Sequence, residues 1–425
     1  MMGATARKKH CRQNGSDSME RIFTERAHLM CPKMNFGIAI HINRDLEKDR
    51  VMDSFNTLAE DHPFLRAVLG YDQKENGYYY DISDSSAIAV MISDETLTGI
   101  DDPKLIRTYE QLTGYDWDIR EEGMLKAVAW SCGDSTVFLL VFHHLLADGR
   151  GALNLALELS DLYAEGKRHG AVNEQLITLS DLPKGSELTS VSKVLVKKAN
   201  KDWEKEANEP LSYPQYHEFA DRFVKNDKTE VEMIRTPASG VSEMRSGCRE
   251  HSVTINDLLM AKMYREDKTD KIIIAKDLRE ELPCFNENAL GNYSTAFSVV
   301  IKKQSDDIWK LAEEVHKKVQ KTLSNPRDVY LILQCYANLK PELLDAAFLA
   351  AKGAYPSKSA AFIGKTFLGF ETPSGYSITN LGKIENRNLR SACFIPPASP
   401  AIRKTIGVIT VNGEMVSCAH FREQE

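Results

Sequence analysis

Residues 136–154 read TVFLLVFHHLLADGRGALN, and the organisation of the chain turns on how this stretch folds. Residues 137–142 form a continuous apolar run, the signature of a strand buried on both faces. The run stops at two adjacent histidines, His143 and His144. Successive strand side chains point to opposite faces, so one imidazole looks into packing and the other into a cleft. Asp148, Gly149, Arg150 and Gly151 follow as a turn cluster, and ALNLALELSDLYAEG continues at helical spacing. The expected unit is a strand, a tight loop and a helix.

Immediately upstream, MLKAVAW (124–130) and a turn at Gly133 and Asp134 make a β-hairpin that delivers the histidines. Its second strand is apolar on both faces and is expected inside a sheet. Further back lie a strand at 35–42, a helix at 45–58 and the segment HPFLR (62–66), where Pro63 stops the helix. His62 reads as a helix C-terminal residue whose imidazole meets free carbonyls. The three tyrosines Tyr78, Tyr79 and Tyr80 are expected to alternate across a short strand.

Downstream, residues 167–221 are rich in charge and contain Pro183, Pro210 and Pro214, with one long charged helix at 191–206. This is the crossing between two halves. The expected divisions are a mobile tail at 1–18, an N-terminal lobe at 19–180, a crossover at 181–215 and a C-terminal lobe at 216–425. In the second half, Thr254 and Asp257 form a capping-box variant ahead of LLMAKMY. KIIIAKDLRE (271–280) reads as a buried strand with a charged end, followed by the strand carrying Asn292 and Tyr293. SITNLGKI and KTIGVITVNGEMVSCAHF close the chain as strands, with Asn412 and Gly413 as a type I′ hairpin turn. Each half mixes helices with a largely antiparallel sheet, so the fold class is α+β.

Composition narrows the function. A net charge of −7, from 54 basic and 61 acidic residues, gives no general attraction to nucleic acid or anionic lipid. The eight cysteines (Cys11, Cys31, Cys132, Cys248, Cys284, Cys335, Cys393 and Cys418) lie far apart with no CxxC pair. That spacing argues against a structural zinc site and a disulfide scaffold, and fits a reducing cytoplasm. No apolar run reaches the ~18 residues of a membrane span. The first 18 residues are basic but lack the apolar stretch of a secretory signal. A cytoplasmic monomer is expected.

His143, His144, Asp148 and Gly149 stand in the order HHxxxDG, which resembles the motif of the condensation-domain and chloramphenicol acetyltransferase-like acyltransferase superfamily. KDLREELP (276–283) with LGNYST (290–295), TINDLL (254–259), SITNLGKI (377–384) and the HPxLR-like segment resemble further pieces of that superfamily in the same order. Together they cover roughly residues 20 to 420, and they look most like the alcohol acetyltransferase and wax ester synthase branches.

The resemblance implies two chloramphenicol acetyltransferase-like lobes meeting at a cleft or tunnel. It implies acyl transfer from an acyl-CoA or acyl-carrier thioester to a small alcohol or amine, with no covalently bound cofactor and no metal. The alternatives are a stand-alone amide-forming condensation enzyme and a non-catalytic thioester-binding relative. By residue, the resemblance places His144, Asp148 and Gly149 in the catalytic motif, with His144 as general base. His143 and Arg279 support it structurally, Arg279 pairing with Asp148 across the lobes. Gly149 allows an unusual backbone geometry or close approach of substrate, and its N–H is an oxyanion donor candidate. Asn292, Ser377 and Asn380 are the candidate substrate contacts; for Ser377 and Asn380 turn chemistry is an equal reading.

Overall fold

The computed structural model describes residues 20–22, 25–74, 77–206, 209–282 and 287–423. The expected tail at 1–18, Cys11 and Cys284 lie outside the described residues. In chain order the strands are β1 (Glu20–Arg21), β2 (Asn35–Ile42), β3 (Ala67–Asp72), β4 (Gly77–Ile82), β5 (Ala89–Thr96), β6 (Leu125–Ser131) and β7 (Thr136–His143). They continue as β8 (Glu230–Thr236), β9 (Lys271–Asp277), β10 (Ser294–Val300), β11 (Gly375–Ile384), β12 (Leu389–Ile395), β13 (Ile402–Val411) and β14 (Glu414–Phe421).

These strands make a five-stranded sheet, β12-β2-β7-β6-β5, a six-stranded sheet, β10-β9-β11-β13-β14-β8, and a small sheet, β1-β4-β3. Most pairings are antiparallel, while β5–β6, β11–β13 and β11–β9 are parallel. This is the α+β, two-lobed architecture expected from the sequence.

Strand β7 occupies the centre of its sheet, and every residue in it is buried. An apolar run without alternation is stable only there, because neither face meets water. The central position carries His143 to the sheet's end, opposite Asn35 of β2. Behind the loop, the helix Gly149–Glu165 starts at the Asp148 N-cap and ends at Gly166, whose φ of 72° is the left-handed stop that glycine favours.

Several expectations need correction. The five-stranded sheet is not built from the N-terminal half alone: β12 leaves the second half and pairs with β2, Cys393 opposite Ala39. The chain therefore crosses the expected lobe boundary a second time, and one core packs Phe36 and Leu140 with Phe394, Leu381 and Val416. Strand β9 is not buried on both faces, since Ala275 is exposed and Ile273 half-buried where the strand lines a cavity. The helix Tyr213–Asn226 falls in a stretch read as crossover and lobe start. Ser212 caps it with Gln215, and Pro214 sits in its first turn, a readable signal.

Other elements follow their local chemistry. Thr254 and Asp257 cap the helix Ile255–Glu266 reciprocally. Asn412 and Gly413 both have positive φ at the β13–β14 turn, as a type I′ turn requires. Cys31, Cys132, Cys248, Cys335, Cys393 and Cys418 are free. No helix among the described residues is long and apolar enough to cross a membrane.

Candidate active site

The two histidines diverge as strand geometry requires. His143 is buried, its Nδ1 accepts from the Leu145 N–H at 3.2 Å, and burial together with His144 pushes its pKa down to about 3. It is a neutral packing residue. His144 is half-buried and lines a cavity of about 210 Å³ between the lobes. Asp148, Gly149, Ser377, Asn380 and Phe394 line the same cavity.

The His144 ring is held on several sides. Its Nδ1 lies 2.8 Å from Asn292 Oδ1, while Asn292 Nδ2 donates to the carbonyls of His144 at 2.8 Å and Leu145 at 3.2 Å. Two carbonyl oxygens around Nδ2 fix the orientation of the amide, so the group facing His144 is an oxygen. Nδ1 must then carry the proton, leaving Nε2 as the free acceptor. The Phe36 ring meets the imidazole edge-on at 5.2 Å, and Tyr80 Oη donates to the Leu145 carbonyl at 2.6 Å, bracing the next residue.

Burial holds the pKa of His144 below its ordinary value. Its own carbonyl, Asp148 and Asn292 act in the opposite direction without overcoming the burial. The imidazole is neutral at pH 7, the form a general base needs.

Asp148 lies across the turn, and both of its oxygens are engaged away from the imidazole. Oδ1 accepts from the Gly151 N–H at 2.8 Å. Oδ2 accepts from Arg279 Nη1 at 3.0 Å and from the Tyr293 N–H at 2.9 Å. Burial opposes this charge, but Arg279 and the two backbone donors keep the carboxyl below its usual range. Arg279 is itself buried, lies over the Tyr293 ring at 4.9 Å and bonds Asp277 at 3.1 Å. The Asp148 N–H donates to the Gly291 carbonyl at 3.0 Å. The motif loop is thereby bound to the Leu290–Tyr293 segment of the other half.

Gly149 has an ordinary backbone conformation, which corrects the expectation of unusual geometry. What it provides is space. A Cβ there would sit 3.0 Å from Leu381 Cδ2 and 3.5 Å from the Phe394 ring at the cavity wall. Gly151, not singled out from the sequence, makes room for Arg279: a Cβ would come within 2.9 Å of Nη2.

Asn292, expected as a substrate contact, directs its amide at the His144 ring and at the carbonyls of His144 and Leu145. Ser377 and Asn380 line the cavity and also do turn and sheet work. Ser377 donates to Thr405 at 2.9 Å, and Asn380 accepts from the Gly382 N–H at 2.9 Å across a register shift in β11. Arg150 closes the rim by donating to the Leu381 carbonyl at 2.7 Å.

His62 does not meet free carbonyls. It is wholly buried between Glu174, 2.8 Å from Nδ1, and Glu158, 3.0 Å from Nε2. Glu174 also accepts from the N–H groups of Phe64 and Leu290, so this cluster joins the two halves beside the site. Among the described residues, no group of three or more His, Cys, Asp or Glu side chains is arranged to hold a metal ion.

Comparison with known proteins bears on the family and the fold. Residues 30–275 match the condensation-domain family. Surfactin synthase subunit 1 of Bacillus subtilis is 28% identical over 131 residues, 31% of this chain but only 4% of that protein's length. The fold is similar to that of a trichothecene 15-O-acetyltransferase of Fusarium sporotrichioides, with a TM-score of 0.60 and 12% identity, covering 97% of this chain and 92% of that one. It is also similar to the epimerization domain from the third module of tyrocidine synthetase B, with a TM-score of 0.57 and 14% identity, covering 94% and 87%.

Proposed function

The chain, matched over more than half its length, belongs to the condensation-domain family, and from that premise we propose that it transfers an acyl group from a thioester to an alcohol or amine, with His144 as general base. The observation that carries this reading is the fixed tautomer of His144. Asn292 Oδ1 accepts the hydrogen bond from Nδ1–H, and a lowered pKa keeps Nε2 unprotonated in a ring that lines the cavity.

In the proposed reaction, the acceptor's O–H or N–H gives its proton to Nε2 as the heteroatom attacks the thioester carbon. The carbon–sulfur bond of the resulting tetrahedral oxyanion breaks, and the thiolate leaves with the proton from Nε2. The first N–H groups of the helix Gly149–Glu165 have no intrahelical acceptor, and Gly149 and Arg150 line the cavity, so their amides are the proposed oxyanion donors. Asp148 and Arg279 hold the loop in register and take no proton. An acyl-CoA or an acyl-carrier thioester is the donor.

The test is thiol release from an acyl-CoA series in the presence of a panel of alcohols and amines. Acceptor-dependent release is expected, and His144→Ala should lower it by about 10²- to 10⁴-fold. Equal release by both proteins would remove His144 from the mechanism. Alcohol-dependent turnover selects the ester-forming reading and amine-dependent turnover the amide-forming one. Tight thioester binding without release would select a binding protein.

A further inference from the structure

The face of the His144 ring is covered by a side chain from outside the matched family region. His28, on the short helix Arg26–Leu29, stacks flat on His144 with ring centroids 4.1 Å apart and planes 12° apart. We propose that His28 is a positioning residue for His144, acting through the flat face of its ring, and that the segment Glu25–Leu29 is a strap holding it there. The proposal rests on the reading of His144 as the base.

The neighbours of His28 show how the strap is anchored. Arg26 is buried and pairs with Asp345, Nε to Oδ1 at 2.9 Å and Nη2 to Oδ2 at 2.6 Å. Glu25, fully buried, accepts from the Asn292 N–H at 3.2 Å, the residue whose side chain fixes the tautomer of His144. The strap thus reaches the base twice, once through Asn292 and once through the ring stack. Neither Glu25 nor His28 lies within residues 30–275.

The chemistry of His28 points to its face rather than its nitrogens. Its Nδ1 is buried and has no hydrogen-bond partner among the described residues. Burial, then His144 and His143, hold its pKa well below the ordinary value, so it stays neutral beside the base. The stack also stands between two spaces. His144 lines the smaller cavity, and His28 lines a larger one of about 640 Å³ walled by Met34, Tyr336, Leu368 and Phe370. Ile273 and Ala296 form walls of both. A flat ring at this junction fixes the plane of His144, whereas an aliphatic side chain of similar size would fill the space without doing so.

The experiment compares His28→Phe with His28→Leu. Both fill the site; only Phe offers a flat face. The first readout is the ¹⁵N spectrum of the His144 imidazole as a function of pH, which needs no turnover. Wild type and His28→Phe should show one tautomer, protonated at Nδ1, and a pKa below 6.5. His28→Leu should show mixed tautomers. The second readout is acceptor-dependent thiol release from acyl-CoA, where His28→Leu should lose about 10-fold in kcat with little change in KM, and His28→Phe should recover most of that loss. If Leu and Phe give the same His144 spectrum as wild type, the proposal is overturned. If the spectra separate as described while no acceptor supports turnover, the positioning role stands and the acyl-transfer reading fails.

Discussion

His62 and His144 are both enclosed by protein, yet they are held in opposite charge states. His62 has a carboxylate on each ring nitrogen, and although burial opposes the charge, Glu158 and Glu174 raise its pKa to about 9. His144 has an amide oxygen at one nitrogen, and the nearby carboxylate of Asp148 is drawn off by Arg279 and two backbone donors. Burial alone therefore does not set the charge of a histidine; the partner at each nitrogen does. The first arrangement locks two halves of the molecule together. The second leaves a lone pair free beside a cavity.

Removing Arg279 should erase the distinction most strongly. Arg279→Met leaves Asp148 buried without its cation and is expected to cost ~3 to 5 kcal/mol of stability. The midpoint of urea unfolding measures it. Asp148→Asn should cost a similar amount, and the two changes should be strongly non-additive in a double-mutant cycle. The freed carboxylate of Asp148 should also raise the pKa of His144, moving it toward the state of His62. Additive stability effects would show that the pair is not one unit.

His62→Gln probes the other side. A folded pKa of about 9, above the unfolded value near 6.5, gives stabilisation that is fully present below pH 6.5 and lost as pH rises through 9. The stability gap between wild type and His62→Gln should therefore be about 3 kcal/mol larger at pH 6 than at pH 10. A gap independent of pH would mean that folding leaves the pKa of His62 unchanged, and a gap smaller at pH 6 than at pH 10 that the ring is neutral in the fold.

The sequence made the central strand, the divergence of His143 and His144, and the pairing partner of Asp148 legible, because each rests on local alternation or on an ordered motif. The rest depends on contacts that no local pattern encodes. The carboxylates of His62 lie 96 and 112 positions away, so the ring had no readable partner. Asn292 stands 148 positions from His144, and its segment pointed to substrate rather than to the base. β12 is not among the strands expected from the sequence, and nothing in it names the sheet it joins. His28 sits on a helix of four residues, too short to leave a periodic trace.

The most direct measurement is the pH dependence of kcat/KM for acceptor-dependent thiol release in wild type, Asn292→Ala and His144→Ala. With Nε2 of His144 as the base, the wild-type rate should fall on the acid side along a single limb below pH 6.5, following the lowered pKa of that ring. Asn292→Ala, which frees Nδ1, should keep a limb but lose about 10-fold in rate. His144→Ala should show only a residual rate without that limb. An acid limb that persists in His144→Ala at the wild-type rate would contradict the assignment of the base.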